Sequence, residues 1–287
     1  MPRVALATCA ALPQLDVEDA PLVPALRAAG IDGVPLVWND PAVDWASYDL
    51  VVVRTTWDYP NKIGAFLDWA DRVAAVRPLW NPAPMLRWNT DKRYLRELST
   101  RGVPIVPTRW LPRGTAHDLG AMLAEEGWRE AVLKPVVSAG ARRTRMVGPG
   151  SLGEGARFLS EQLTQRAMMV QPYVAAVSTT GELSLLYFNG RFSHAVRKIP
   201  AAGDFRVQTE HGGRVLSVKP TTGELAAGQR VLDAMAGETL YARVDLLPTD
   251  DGEQRLLELE VTEPSMFLTW DAGAPARFAA AIGERLG

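Results

Sequence analysis

The sequence predicts an α/β protein in which a parallel sheet comes first and mixed strands and helices follow. Two observations predict this class. Apolar strand-like runs alternate with amphipathic helical runs over roughly the first 80 residues, and strands joined by short hairpin turns dominate the second half. A chain of 287 residues forms one large domain or two to three small ones, and it can bury a sizeable core.

The overall composition is that of an ordinary globular protein, and it excludes several classes. Thirty-one basic and 33 acidic residues give a net charge of -2, which argues against a dominant field for nucleic acid or membrane surfaces. No apolar run reaches the roughly 18 residues that a membrane-spanning helix needs. The single Cys9 excludes an internal disulfide and a multi-cysteine metal site. We therefore expect a cytoplasmic protein with neither nucleic-acid nor membrane partners.

The first part of the chain carries three strand patterns and two helical patterns. The predicted strands are RVALAT, GVPLVW and DLVVVR, and the predicted helices are DAPLVPALRAAG, which closes on Gly30, and IGAFLDWADRVAAV. Strands interleaved with helices indicate a parallel sheet, whose ligands gather at the carboxyl ends of the strands. Arg54, Trp57 and Asp58 follow directly after one such strand. They are candidates for substrate contacts, although a capped turn packed on the core would produce the same pattern.

A proline-rich stretch interrupts this alternation. The segment LWNPAPMLRWN, residues 79–89, predicts a linker between domains. The helices predicted beyond it are TDKRYLRELST, ending at Gly102, then SLGEGARFLSEQLTQR, where Ser151 and Glu154 have capping-box spacing, TGELAAGQRVLDAMAG, and a C-terminal helix near APARFAAAIGERLG. The predicted strands are AVLKPVV and TRMV around a small-residue loop, AMMVQPYV, and a hairpin GELSLLYFNGRFSHAVRKIP that turns at Asn189-Gly190.

The segment LLELEVTEPSMFL, residues 256–268, contains the most informative pattern. Glu258 and Glu260 are two residues apart, so a strand points both carboxylates to one face. Two like charges there cost free energy unless one binds a proton or a cation lies between them. A surface strand whose polar face is acidic is the alternative.

A hairpin brings a third carboxylate to the same face. Asp251-Gly252 is the natural two-residue turn, and counting outward from it pairs Asp245 with Glu258. The same count pairs Asp250 with Glu253, Leu247 with Leu256, and Arg243 with Glu260. Carboxylate oxygens suit a hard cation, and Mg²⁺ typically takes one or two carboxylates plus phosphate oxygens and water. The hairpin therefore predicts a metal site formed by Asp245, Glu258 and Glu260.

A metal ion that bridges phosphates requires protein cations and a loop that covers the phosphates. Lys92 and Lys134 are candidates for these cations. Lys134 is the stronger candidate, because an unpaired ammonium inside the apolar strand VLKP would be costly. The SAGA loop that follows, Ser138 to Ala141, has small residues that let backbone amides approach a phosphate. Together with the acidic hairpin, these features favour nucleotide binding over solvated lysines.

These motifs, in this order, resemble the ATP-grasp superfamily of ligases, and within it the glutathione synthetase-like branch. The resemblance runs from NTDKRYL to EVTEPS and implies an ATP-grasp fold with ATP and Mg²⁺ as cofactors. It divides the chain into an N-terminal α/β domain at 1–88, a small ATP-binding lobe at 89–171 and a second lobe at 172–287 that carries the metal hairpin and a lid.

The resemblance also implies roles for individual residues. LELEVTEPS is similar to the metal motif of the branch, with Glu258 at its Glu position, Glu260 in place of its usual Asn, and Asp245 at its upstream Asp. Lys198 and Arg206 would face phosphates as catalytic cations, and residues 207–214 would form the lid. The nucleotide-binding residues that it implies are Lys92, Lys134, Ser138 and Gly140, the hinge residues Gln171, Tyr173 and Val174, and Glu182 for the ribose.

Three segments, VVVRTTWDYP, LWNPAPMLRWNTDKRYLREL and LELEVTEPSMFL, are together similar to cyclo-ligases that act on O-ureido-serine in D-cycloserine formation. This implies an enzyme of antibiotic biosynthesis that phosphorylates a carboxylate with ATP, after which a nitrogen of the same molecule displaces the phosphate. The small amino-acid-like substrate would contact Arg54, Trp57, Asp58, Glu263 and Ser265. An intermolecular amino-acid ligase and a non-catalytic nucleotide-binding protein are the alternatives. For the oligomeric state, both a monomer and a homodimer are considered.

Overall fold

The protein contains three β-sheets in the part of the chain that the structure describes, one parallel and two antiparallel. The structure is a computed structural model, and it describes residues 1–138, 140, 142–201, 204, 206–207, 212–249 and 252–286. The predicted α/β class, with a parallel sheet first and antiparallel sheets after it, is confirmed.

The first sheet is parallel and has the strand order β2-β1-β3-β4. Its strands are β1 (Arg3–Thr8), β2 (Asp32–Val37), β3 (Leu50–Val53) and β4 (Leu79–Trp80), and its helices are α1 (Leu22–Ala28) and α2 (Ile63–Ala74). Helix α2 buries Phe66, Trp69 and Val73 on the face that the periodicity predicts. The strands and helices predicted for this region are all present. Arg54 and Trp57 lie just beyond the carboxyl end of β3, on the side that faces the rest of the molecule.

The predicted linker is wrong, because residues 79–89 are packed and largely helical. Pro82 precedes helix α3 (Ala83–Asn89) and Pro84 lies in its first turn, where a missing amide proton costs nothing. Asn81 and Asn89 are buried and bond to the backbone of a distant strand; the amide of Asn81, for example, donates to the carbonyl of Val261 at 2.6 Å. The prolines therefore start a packed helix and do not form an exposed connecting loop.

The second sheet is antiparallel, with the order β5-β8-β6-β7. Its strands are β5 (Arg109–Leu111), β6 (Ala131–Pro135), β7 (Arg145–Val147) and β8 (Met168–Pro172), and the helices before and within this region are α4 (Tyr94–Thr100), α5 (Leu119–Glu126) and α6 (Leu152–Gln165). Helix α6 is present as predicted, but its capping box is not. The hydroxyl of Ser151 accepts from the amide of Gly148 at 3.1 Å and makes no cap bond, because it closes a turn ahead of the helix.

The third sheet is antiparallel, with the order β11-β10-β9-β12-β13. Its strands are β9 (Glu182–Phe188), β10 (Arg191–Ile199), β11 (Arg214–Ser217), β12 (Tyr241–Pro248) and β13 (Gln254–Glu260), and the remaining helices are α7 (Ala176–Thr179), α8 (Thr222–Ala234) and α9 (Ala274–Gly283). The hairpin turn predicted at Asn189-Gly190 is confirmed. Both residues have positive φ, +47° and +72°, as the tight turn between two paired strands requires.

The β12–β13 hairpin has a longer turn than predicted. The amide of Thr249 donates to the carbonyl of Glu253 at 2.9 Å, so three residues separate the bonded pair instead of the two of an Asp251-Gly252 turn. Gly252 has a φ of +81°, which suits the left-handed position of a three-residue hairpin loop. Asp250 and Asp251, and with them the predicted pair of Asp250 with Glu253, lie outside the described residues.

A β-bulge restores the predicted register further along this hairpin. The observed pairs are Pro248–Gln254, Leu247–Arg255 and Leu246–Leu256, followed after a register shift by Asp245–Glu258 and Arg243–Glu260. The predicted pair of Leu247 with Leu256 is therefore wrong by one position, whereas the pairing of Asp245 with Glu258 is confirmed. The extra residue of β13 is Leu257, and it compensates for the extra residue of the turn.

One hydrophobic core joins the first and third sheets. Phe278 of α9 stacks on Phe188 of β9 with ring centroids 4.5 Å apart, and the same cluster includes Val4 and Leu6 of β1. We keep the division into 1–88, 89–171 and 172–287 as a proposal, with the C-terminal helix packed back on the first unit. None of the helices in the described part of the chain is both long and apolar enough to cross a bilayer.

Candidate active site

The acidic face of the β12–β13 hairpin is neutralised by basic side chains from three directions. Arg243 bonds to both Asp245, at 3.0 Å, and Glu260. Lys198 of β10 pairs with Asp245 at 3.3 Å, and it also pairs with Glu182, its cross-strand neighbour on β9. The hydroxyl of Ser184, on the same side of β9, donates to Asp245 at 2.5 Å. Asp245 is thus at the centre of a buried network of charges.

Lys92, which precedes α4, reaches the same face from the other side. Its ammonium pairs with Glu258 at 2.8 Å and donates to the carbonyl of Ser138 at 2.7 Å. The second contact ties the start of the small-residue loop to the acidic hairpin. Lys92, Ser138 and Glu258, which the sequence connects only by resemblance, are therefore brought together by the fold.

The surroundings shift the pKa values of these carboxyls in opposite directions. Burial alone would raise the pKa of Asp245, but Arg243 and Lys198 outweigh burial and hold it well below its usual range. Burial likewise opposes ionisation of Glu258, yet Lys92 and Lys134 lower its pKa. Asp245 and Glu258 are therefore charged at neutral pH.

Glu182 and Glu260 behave differently, because their cations do not fully offset burial. Burial raises the pKa of Glu182 to about 7 although Lys198 opposes the change. Burial also raises the pKa of Glu260 to about 7, with Arg243 opposing and Glu258 adding to the rise. The pKa values of these two carboxyls are therefore shifted in the opposite direction to those of Asp245 and Glu258.

The donor chemistry fits a magnesium ion at two of the three predicted ligands. Asp245 and Glu258 are ionised, face each other across the hairpin and offer only oxygen, and Mg²⁺ needs no more than one or two carboxylates when phosphates complete its shell. Among the described residues, however, no three carboxylate, histidine or cysteine side chains gather around one point as a metal site. The set of Asp245, Glu258 and Glu260 stays a prediction, and in this structure Arg243 pairs with both Asp245 and Glu260.

Lys134 stands apart from the other lysines of the site. It lies on the half-buried face of β6, and within the described residues its ammonium has neither an ion pair nor a hydrogen bond. Burial lowers its pKa, although Glu258 partly opposes the change. A partly buried ammonium with no direct partner in the described part of the chain is less favourable than one in water.

The predicted hinge begins inside β8 with Gln171 and continues after the strand with Tyr173 and Val174. Gln171 is buried and its amide donates to the Thr108 hydroxyl at 2.9 Å, whereas the Tyr173 hydroxyl bonds to Ser178 at 2.5 Å. Val174 is partly buried at the start of the short helix α7. Gly140 has a φ of +61°, while its neighbours Ala139 and Ala141 lie outside the described residues.

Residues 262–266, which we call the pinned segment, leave the acidic strand with every backbone carbonyl bound by a side chain. The donors to successive carbonyls are the Tyr241 hydroxyl at 2.9 Å, the Trp57 indole at 3.0 Å, Arg54 at 2.9 Å, Arg243 at 3.2 Å and the His194 ring at 3.0 Å. These donors come from both the first and the third sheet. The pinned segment therefore has a fixed course, and it carries Glu263 and Ser265 past the end of the charge network.

Comparison with known proteins agrees with this geometry. Residues 4–81 match the family described as the N-terminal domain of D-cycloserine synthetase DcsG, and residues 114–271 match the prokaryotic glutathione synthetase ATP-grasp domain. The chain is 31% identical to the cycloserine biosynthesis protein DcsG of Streptomyces lavendulae over 99% of its own length and 98% of that protein.

The chain belongs to the ATP-grasp family. The crystal structure of D-cycloserine synthetase DcsG superimposes on this ATP-grasp ligase with a TM-score of 0.90 at 30% identity, covering 99% of this chain and 100% of that one. A D-alanine–D-alanine ligase from Bacillus anthracis, complexed with ATP, has the same fold, with a TM-score of 0.71 at 15% identity over 100% and 97% of the two chains. The predictions of an ATP-grasp fold and of a carboxylate–amine ligase that forms C–N bonds are confirmed.

Three of the predicted site residues of this ATP-grasp ligase are engaged by partners within the protein itself. Arg54 is fully buried, and its guanidinium bonds to Asp19 at 2.8 Å and to the pinned segment, so it is a structural anchor and not a substrate contact. Both oxygens of Asp58 are engaged, one by the Trp38 indole at 2.7 Å and the other by Lys62 at 3.1 Å. Arg206 pairs with Asp204 at 2.7 Å rather than with the acidic face.

The predicted lid can be placed only in part. Of residues 207–214, the structure describes 207 and 212–214, with Arg214 opening β11, and the rest lie outside the described residues. The indole of Trp57 contacts the pinned segment, where it donates to the carbonyl of Glu263 at 3.0 Å.

Sequence reasoning missed several residues of the ATP-grasp ligase that the fold makes important. Asp19 is the buried partner of Arg54, and Ser184 donates to Asp245. Asp19 lies just before helix α1 and Ser184 lies within the buried strand β9, and neither position by itself indicates a role. The sequence pairs Arg243 with Glu260 across the hairpin. Its second contact, with Asp245, was not predicted, although the two residues are two apart on β12 and share a face.

The ion pair of Arg54 with Asp19 yields a stability prediction. Arg54→Lys removes the bidentate contact and the packing of the guanidinium over Tyr241, 4.8 Å from the ring centroid. We expect the free energy of unfolding to fall by about 2–3 kcal/mol, measured by urea denaturation. Arg72→Lys, on the exposed face of α2, is the matched control and should leave the midpoint unchanged. An unchanged midpoint for Arg54→Lys would contradict the anchoring role.

Proposed function

We propose that the protein is an ATP- and Mg²⁺-dependent cyclo-ligase that activates an amino-acid carboxylate as an acyl phosphate for attack by a nitrogen of the same molecule. The observation that carries this proposal is the 31% identity to a cycloserine biosynthesis protein over 99% of the chain, including the N-terminal region. A ligase of this kind would act on O-ureido-serine or a close relative, and it would serve antibiotic biosynthesis.

The charge network supports a division of roles around the nucleotide. Asp245 and Glu258 would hold Mg²⁺, which when bound neutralises phosphate charge. Lys92, Lys134 and Lys198 surround these carboxylates and would offset the negative charge that spreads over the transferring phosphoryl group. The hinge from Gln171 to Val174 and the buried Glu182 would contact adenine and ribose, and Arg206 would approach the phosphates from the predicted lid.

The pinned segment supports the placement of the amino-acid substrate. Glu263 and Ser265 lie on it beside Trp57, and the hydroxyl of Ser265 is buried without a hydrogen-bond partner among the described residues. A buried hydroxyl in that state is free to bond to a bound ligand or to water. We propose that the substrate binds there, between the carboxyl end of β3 and the end of β13, rather than at Arg54.

A second function, joining an amino acid to a separate amine, is favoured by one observation. The ATP-grasp region, residues 114–271, matches the glutathione synthetase family rather than a cyclo-ligase family. Both reactions share acyl phosphate formation, so they differ only in where the nitrogen comes from.

The decisive experiment measures ADP release with O-ureido-D-serine, its L-enantiomer, single amino acids and amino-acid pairs. We expect release with an O-ureido-serine alone, accompanied by a cyclic product detected by mass spectrometry. Release only with amino-acid pairs would overturn the cyclisation proposal in favour of the intermolecular ligase. Bound ATP that no carboxylate consumes would favour the non-catalytic alternative. A cytoplasmic location and the monomer or homodimer state stay predictions.

A further inference from the structure

Glu263 is a buried carboxyl that the protein leaves without a cation. Only 8% of the residue is exposed, and within the described residues it has no ion pair. Its acidic neighbours are each paired: Glu258 with Lys92, and Glu260 with Arg243. The side-chain contact that Glu263 does make is with the Tyr59 hydroxyl, which follows the carboxyl end of β3.

The position of Glu263 is fixed from both sides. Its own carbonyl accepts from the Trp57 indole at 3.0 Å, and the next carbonyl, that of Pro264, accepts from Arg54 at 2.9 Å. Arg54 is itself held by Asp19 in a fully buried pair. These hydrogen bonds hold the backbone that carries the Glu263 carboxyl in a defined position. Proton transfer to or from a reacting atom requires such positioning.

The electrostatic surroundings leave this carboxyl able to change its charge. Burial raises the pKa of Glu263 to about 8, Glu260 and Glu258 add to the rise, and Lys92 and Arg243 oppose it. Tyr59 stays protonated, because burial and the facing carboxylates raise its pKa well above the usual value. A group with a pKa close to the working pH accepts and releases protons most effectively.

We propose that Glu263 is the catalytic base that removes the proton from the attacking nitrogen. The inference rests on the proposed function, since it assumes an acyl phosphate and a nitrogen nucleophile beside the pinned segment. The nitrogen lone pair forms the C–N bond at the acyl carbon, and the N–H proton passes to the Glu263 carboxylate. The carbonyl electrons move onto oxygen and return as the C–O bond to phosphate breaks, so that inorganic phosphate leaves with its bonding pair.

The test separates the two half-reactions with hydroxylamine, a nucleophile that reacts with acyl phosphates without a protein base. With O-ureido-D-serine and ATP, Glu263→Gln should form the trapped hydroxamate at a rate within about threefold of the unsubstituted protein. Its rate of cyclic product formation should fall on the order of 10²–10³-fold. Glu263→Asp, which keeps a carboxylate, should restore part of that rate. Glu18→Gln, a partly exposed carboxylate that bonds to Trp270 at 3.2 Å just beyond the pinned segment, is the matched control with unchanged rates.

The pH profile provides a readout that a purely structural residue would not move. Product formation by the unsubstituted protein should rise with pH and level off above about pH 8, as Glu263 loses its proton, and Glu263→Gln should lack this rise. Equal losses of hydroxamate and product in Glu263→Gln would overturn the proposal, as would full retention of product formation. If the unsubstituted protein forms hydroxamate with no carboxylate of the panel, the proposed function fails and this inference fails with it.

Discussion

Glu258→Gln should lower Mg²⁺-dependent ATP turnover on the order of 10³-fold while the protein stays folded. The substitution keeps the size of the side chain but removes one of the two ionised carboxylates that face each other across the hairpin. A neutral amide binds Mg²⁺ far more weakly than a carboxylate does, so phosphoryl transfer would lose its charge compensation. Turnover is measured as ADP release over a range of Mg²⁺ concentrations.

The effect of Glu258→Gln on stability has two opposing parts. The change relieves repulsion with Asp245, but it leaves the Lys92 ammonium, now paired at 2.8 Å, with a neutral acceptor. We expect a net loss of about 1–2 kcal/mol in the free energy of unfolding, because the lysine keeps its bond to Ser138. Glu161→Gln, on the exposed side of α6, controls for the loss of a negative charge alone. Mg²⁺-dependent turnover that survives in Glu258→Gln would refute the metal assignment.

Lys134→Met should abolish nucleotide-dependent turnover and at the same time stabilise the protein. The ammonium has no direct partner within the described residues, and burial lowers its pKa, so its charge opposes folding at neutral pH. A methionine removes that cost and fills similar space. We expect turnover to fall by about 10²–10³-fold and the free energy of unfolding at pH 7 to rise by about 1 kcal/mol.

The pH dependence of stability gives Lys134→Met a second test. A lysine whose pKa is lower in the folded than in the unfolded protein binds fewer protons when folded, so its contribution to stability improves as the pH rises through its lowered pKa towards 10.5. The stability gain of the variant should therefore be largest near neutral pH and shrink in alkaline solution. Lys219→Met, at an exposed position, is the control. A destabilised Lys134→Met protein that still turns over ATP would contradict both parts of the prediction.

The acidic hairpin shows how much of the site can be predicted from local sequence patterns. Glu258 and Glu260 share a face because side chains alternate along a strand, and a turn before Glu253 is enough to bring Asp245 opposite Glu258. The predicted register reached the correct pair although the turn is longer and Leu257 forms a bulge. Neither deviation could be predicted, because both depend on how β13 fits against its neighbour rather than on the turn residues alone.

Segments whose meaning depends on distant partners were misjudged. The prolines of residues 79–89 predict a linker, yet Asn81 bonds to Val261, 180 residues away, and holds the segment in the core. Arg54 at a strand end predicts a substrate contact, but its guanidinium bonds to Asp19 and to the carbonyl of Pro264, which are 35 and 210 residues away in the sequence. Proline and arginine have the same local appearance in an exposed loop and in a buried one.

The sequence by itself therefore determined the α/β class, the positions of the helices and strands in the parallel sheet, and the acidic hairpin with its lysines. These follow from periodicity, turn residues and side-chain chemistry, which act over a few residues. Only the tertiary structure decided that Arg243 pairs with both Asp245 and Glu260. It also decided that, among the described residues, Lys134 has no direct partner and the buried Glu263 has no cation. Those properties depend on which charges the fold brings within a few ångströms of one another and how much water it removes, and neither quantity is encoded at one place in the chain.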